Sequence, residues 1–86
     1  MSARLSIPQD LKPLLPQLDS GLAALIQLPV IEWKTCPRDA ARYQPKFDTL
    51  AEDARRRIDV FAKIHNVSRS AVVTTALDTL KTLARV

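Results

Sequence analysis

Metal binding and nucleophilic catalysis both require several reactive side chains held together, and this chain has few of them. It contains one histidine, His65, and one cysteine, Cys36. A zinc site takes three or four Cys, His or carboxylate ligands at short spacing, and no second ligand is spaced with His65. His65 therefore reads as the replacement of an aliphatic residue at a helix end, and no metal or cofactor is expected. Cys36 reads as a small apolar filler. A single glycine cannot build a phosphate-cradling loop. Together these absences exclude the usual catalytic constellations, and the chain is not expected to be an enzyme. The side chains with chemistry to offer are basic and polar: Gln44, Lys46 and Thr49, the run Arg55-Arg56-Arg57, and Ser68-Arg69. Such groups bind anions. Three consecutive arginines on a helix cannot all face one ligand, so that run reads as a solvated face interleaved with Glu52, Asp53 and Asp59.

Two regions must position these groups. All six prolines and the glycine fall within the first 45 residues, and residues 46 to 86 hold no helix breaker. Charge does not separate the halves: residues 1–46 carry six bases and four acids, residues 47–86 seven and five, so each is +2 of the total +4. The division is into residues 1–42, a Pro/Leu-rich arm, and residues 43–86, a regular helical unit. In the arm, Leu11, Leu14, Leu15, Leu18, Leu22 and Leu25 recur at helical spacing, but Pro13 and Pro16 each remove a donor. An irregular segment with one short helix over residues 21 to 28 is expected, capped by Asp19 or Ser20 and stopped by Pro29. Residues 30 to 35 alternate as a short strand would, with Ile31 and Trp33 on one side. Cys36-Pro37-Arg38-Asp39 reads as a turn. Trp33 reads as core or arm packing.

In the second half, Thr49 and Glu52 have the spacing of a capping box. A helix follows with Leu50, Ala54, Ile58, Phe61, Ala62 and His65 on one face, ending at Asn66, which tolerates the left-handed conformation. Ser68 is placed to cap a second helix with a stripe of Val72, Val73, Ala76, Leu77, Leu80 and Leu83.

The stretch Phe61 to Leu77 resembles two DNA-binding signatures, the helix-turn-helix and the ribbon-helix-helix. The former calls for an apolar residue three positions after Val72, where Thr75 stands. The latter calls for apolar pairs at 72, 73 and 76, 77, as found. Over residues 43 to 83 the chain therefore resembles a ribbon-helix-helix protein, and Val67-Ser68-Arg69-Ser70 is the most specific part of the match. The resemblance implies a mainly α fold and an obligate homodimer, with one strand from each chain pairing antiparallel into a ribbon that enters the major groove. It also implies phosphate binding by the amides around Val67, Ser68 and Arg69 at the start of the second helix. The interchain core would comprise Phe47, Ile58, Phe61, Val72, Val73, Ala76, Leu77 and Leu80.

The strand has two registers. In the usual one, Leu50 is the last inward residue, and Pro45, Phe47 and Thr49 face DNA. Shifted by one residue, Tyr43, Pro45, Phe47 and Thr49 point inward and Gln44, Lys46 and Asp48 outward; burial of Tyr43 and Phe47 favours this one. The base-reading candidates are accordingly Gln44 and Lys46, with Thr49 from the first register. A third arrangement lets residues 31 to 35 supply the ribbon.

The reading that results is a sequence-specific binder of double-stranded DNA, a repressor or a plasmid maintenance or mobilisation accessory factor. Its alternative is a helical protein-interaction module, an antitoxin or adaptor, docking a protein partner through residues 1–29. No membrane span or secretory signal is present in the sequence, and a single cysteine fits a reducing cytoplasm.

Overall fold

Seven consecutive residues, Ala71 to Leu77, are buried, and they lie in the middle of the last helix. A helix buried all round must be covered on every side. The computed structural model, which describes residues 4–37 and 39–84, shows how the rest of the chain supplies that cover. In chain order the elements are strand β1 (Ile7–Pro8), a 3-10 helix (Gln9–Gln17), helix α1 (Leu18–Ile26), strand β2 (Arg42–Tyr43), a 3-10 turn (Phe47–Thr49), helix α2 (Glu52–His65) and helix α3 (Arg69–Ala84). Among the described residues the fold is mainly helical, with one two-stranded antiparallel sheet. Among the described residues no helix is long and apolar enough to cross a membrane.

The arm is more ordered than its prolines suggest. The 3-10 helix has three residues per turn, so residues three apart eclipse. Asp10, Pro13, Pro16 and Asp19 accordingly form one exposed edge, while Leu11 and Leu18 are buried and Leu14 and Leu15 half-buried. Both prolines are thereby turned to solvent. Helix α1 begins at Leu18, earlier than the expected residue 21, with no side-chain cap, and it ends at Ile26 before Pro29. It lies chiefly on α3. The lone glycine permits this approach: a Cβ on Gly21 would stand 2.7 Å from the Ala76 carbonyl oxygen. Any larger residue forces the two helices apart.

Leu5, Ile7, Leu11, Leu18, Leu22 and Leu25 from the arm form one cluster with Phe47, Ala54, Ile58, Val72, Val73, Ala76 and Leu77. Each such aliphatic side chain contributes about 1.5–3 kcal/mol when taken from water. The stripe expected to face a second chain is thus covered by residues of the same chain; Phe61 and Leu80 sit half-buried at its margin. Leu83, placed in the stripe by its spacing, is 57% exposed.

Two threonines in the middle of α3 are buried and bonded to the arm. The Lys34 amide donates to Thr75 Oγ1 at 2.9 Å, and the Thr74 hydroxyl donates to the Ser6 carbonyl at 3.4 Å. A buried hydroxyl without a partner costs about 1–3 kcal/mol, so these contacts make an otherwise polar face compatible with burial. Residues 31 to 35 are not a strand. They run without regular structure along α3, with Ile31 and Trp33 half-buried as their alternation implies and Lys34 paired to Asp78 at 2.6 Å. The Ala40 amide closes on the Pro37 carbonyl at 3.2 Å, a turn one residue later than the expected Cys36–Asp39; Arg38 lies outside the described residues.

At the end of α2, Asn66 adopts φ 54° and ψ 48°, the left-handed stop its sequence position implies. Ser68 Oγ accepts the Ala71 amide at 3.1 Å and so caps α3. The expected capping box at α2 does not form. Thr49 lies in the 3-10 turn and its hydroxyl donates to the Lys46 carbonyl at 2.6 Å; α2 starts after Ala51, and Glu52 instead pairs with Arg56.

Candidate nucleic-acid interface

The candidate surface is the small sheet and the residues beside it. Ile7 pairs with Tyr43 and Pro8 with Arg42, and an antiparallel bridge joins Arg4 to Lys46 in the same register. The Leu5 amide donates to the Pro45 carbonyl at 3.0 Å and the Gln9 amide to the Ala41 carbonyl at 3.1 Å. Residues 4–8 and 42–46 therefore make one two-stranded ribbon. The second strand comes from the arm of the same chain.

Alternation divides the ribbon into two faces. Leu5, Ile7 and Pro45 are buried and Tyr43 half-buried, so this face belongs to the core. Arg4, Arg42, Gln44 and Lys46 are exposed on the other, with Ser6 and Pro8 partly so. Directly opposed residues share a face, which sets Arg4 beside Lys46 and Ser6 beside Gln44. Gln44 and Lys46 thus stand outward and Pro45 inward. Phe47 and Thr49 do not lie on the strand as expected, because the backbone turns into the 3-10 segment immediately after Lys46. Phe47 is buried there, and Thr49 is exposed but committed to Lys46.

The free edge of β1 meets the start of α3. The Ser6 amide donates to Ser70 Oγ at 3.0 Å, and Thr74, one turn further, bonds the Ser6 carbonyl. This pair of hydroxyls takes the place of a third strand. It also fixes the ribbon against the turn Val67-Ser68-Arg69. Of the three amides expected to hold phosphate, that of Val67 is already bound to the Ala62 carbonyl at 3.1 Å, closing the end of α2. The amides of Arg69 and Ser70 lie in the first turn of α3, where no intrahelical acceptor exists, at the positive end of the helix dipole.

Arg69 is held from two sides. Its Nε donates to Asp59 at 2.6 Å, and its guanidinium lies 4.6 Å from the centre of the Phe47 ring. Both it and Asp59 remain over 40% exposed. The arginine is therefore oriented by α2 and by the segment following β2, with part of its charge already compensated. On the far side of α2, His65 lies 5.0 Å from Trp33 and 6.0 Å from Phe61, centre to centre, in a cluster of three rings. Cys36 is a half-buried free thiol.

Arg4 and Arg42 were not singled out by sequence reasoning. The signal for Arg4 is the alternation Arg4-Leu5-Ser6-Ile7, too short to read as a strand until its partner is known. Comparison with protein-family models, with curated proteins and with solved structures gives no match for this chain.

Proposed function

We propose that this chain binds double-stranded DNA through the outer face of the 4–8/42–46 ribbon, in the manner of the ribbon-helix-helix proteins that its second half resembles. The observation that carries the reading is the opposition of Arg4 and Lys46 on an exposed ribbon that also presents Gln44 and Arg42. A two-stranded ribbon fits the major groove, where Arg and Lys pair with guanine and Gln with adenine. The start of α3, tied to the ribbon through Ser6 and Ser70, offers a phosphate the first-turn amides and Arg69. The family's interchain strand pairing is supplied here within one chain, so one chain carries a complete ribbon. A role as repressor or plasmid accessory factor follows from the resemblance.

Selection from a random duplex pool, followed by anisotropy titration of the enriched sequence, tests this. Affinity should fall steeply with salt, log K dropping by about 0.9 per log unit for each phosphate neutralised. Lys46→Ala should relax preference at the base it reads, at a cost of about 1–3 kcal/mol. Failure to enrich any sequence, with no salt-dependent binding, refutes the reading. Light scattering of the free protein distinguishes a self-contained unit from a homodimer that exchanges its arms.

A further inference from the structure

Three large aliphatic side chains remain in water on the side of the molecule formed by α1 and α2. Ile26 at the end of α1 is 65% exposed, and Val60 and Ile64, one turn apart on α2, are 50% and 71% exposed. With the half-buried Phe61 and with His65 they line an open groove of about 380 Å³. Arg56 and Arg57 stand at its edge. None of these residues belongs to the ribbon.

Apolar side chains at i and i+4, bordered by arginines, form half of a helix-in-groove contact. The rim indicates what the other half must be. Arg57 is exposed, and the pairing of Arg56 with Glu52 at 3.3 Å is an exposed one that a partner's carboxylate can replace at little cost. A second copy of this chain is a poor occupant. An antiparallel α2 pairing centred on Val60 sets each copy's Arg57 against the other's Lys63, and like charges across an interface oppose association. A duplex is a poor occupant as well, since it offers no apolar surface for Ile26, Val60 and Ile64. We propose that this groove docks an amphipathic helix of a partner protein, one with an apolar stripe flanked by Asp and Glu.

The test uses the full chain and a fluorescent synthetic helix of about five turns, with leucines at i, i+3, i+4 and i+7 and glutamates alongside, against a twin carrying lysines instead. The glutamate helix should bind about tenfold or more tightly than the lysine twin at low salt, with the gap closing as salt rises. Val60→Glu, at a half-exposed position that should leave the circular dichroism unchanged, should weaken the glutamate helix about tenfold. The double change Arg56→Glu with Arg57→Glu should reverse the preference between the twins. Equal binding of both twins, or binding indifferent to Val60→Glu, overturns the proposal. So does self-association that Val60→Glu abolishes, which gives the groove to a second copy. A loss of duplex binding in Val60→Glu alongside the loss of the helix would assign the face to nucleic acid and overturn it equally.

Discussion

Arg69 Nε lies 2.6 Å from a carboxylate oxygen of Asp59, so the basic residue at the start of α3 reaches solvent already paired to the preceding helix. An exposed pair of this kind contributes at most about 1 kcal/mol to stability, but it lowers the positive charge offered to an anion. Asp59→Asn should leave the urea midpoint nearly unchanged and tighten binding to all duplexes alike, steepening the salt dependence by about one phosphate equivalent. Unchanged affinity on anisotropy would show that Arg69 does not contact the backbone of DNA.

The contact between Gly21 and Ala76 opposes two backbone effects. Alanine is the better helix former by about 1 kcal/mol, yet its Cβ would meet a carbonyl oxygen at 2.7 Å. Separating packed elements typically costs about 1–3 kcal/mol. Gly21→Ala should therefore lower stability despite its propensity, by roughly 1 kcal/mol net or somewhat more. A raised denaturation midpoint would mean that α1 slides on α3 without cost.

The arm belongs to the core, and its truncation should be felt globally. Ile7 is fully buried on the inner face of the ribbon. Ile7→Ala should cost about 2–5 kcal/mol, whereas Ile26→Ala, in the exposed groove, should stay within about 0.5 kcal/mol. Equal, small effects in urea titrations would show the ribbon to be detached from the helices in solution.

A pH effect follows from the contact between Lys81 and Asp10, 2.8 Å apart, which joins the last turn of α3 to the 3-10 helix. The hydrogen bond from Lys81 holds the Asp10 carboxyl below its ordinary range. A folded-state value lower than the unfolded one means that the contribution is fully present above the unfolded value and is lost as pH falls through the folded one. Asp10→Asn should thus be slightly less stable than the parent at pH 7, with the two converging in acid. A difference that persists at the lowest pH would trace to packing of the arm instead.

The α2–α3 unit was the most legible part of the sequence because its boundaries rest on local chemistry. Asn66 stops one helix with its own backbone, and Ser68 caps the next with its own hydroxyl, three residues from the amide it bonds. The ribbon was only half legible. Gln44, Pro45 and Lys46 alternate as their types imply, but the partner strand lies some forty residues away and only pairing reveals it. Thr49 illustrates the limit of a motif: the carbonyl of Lys46 competes for its hydroxyl and wins, because the chain turns before the helix begins. Pro13 and Pro16 argued against a continuous helix of the α type, and with reason. Their three-residue spacing matches a 3-10 helix, whose eclipsed edge turns both outward.

The joining of residues 4–8 to residues 42–46 within one chain has a consequence for any sequence this surface reads. Two identical strands related by a twofold axis impose an inverted repeat on their target. Here the facing strands differ, with Arg4 and Ser6 on one and Arg42, Gln44 and Lys46 on the other. The stretch of DNA proposed to be read by one such ribbon would consequently be short and directional, and an inverted repeat would arise only where a second chain binds beside the first.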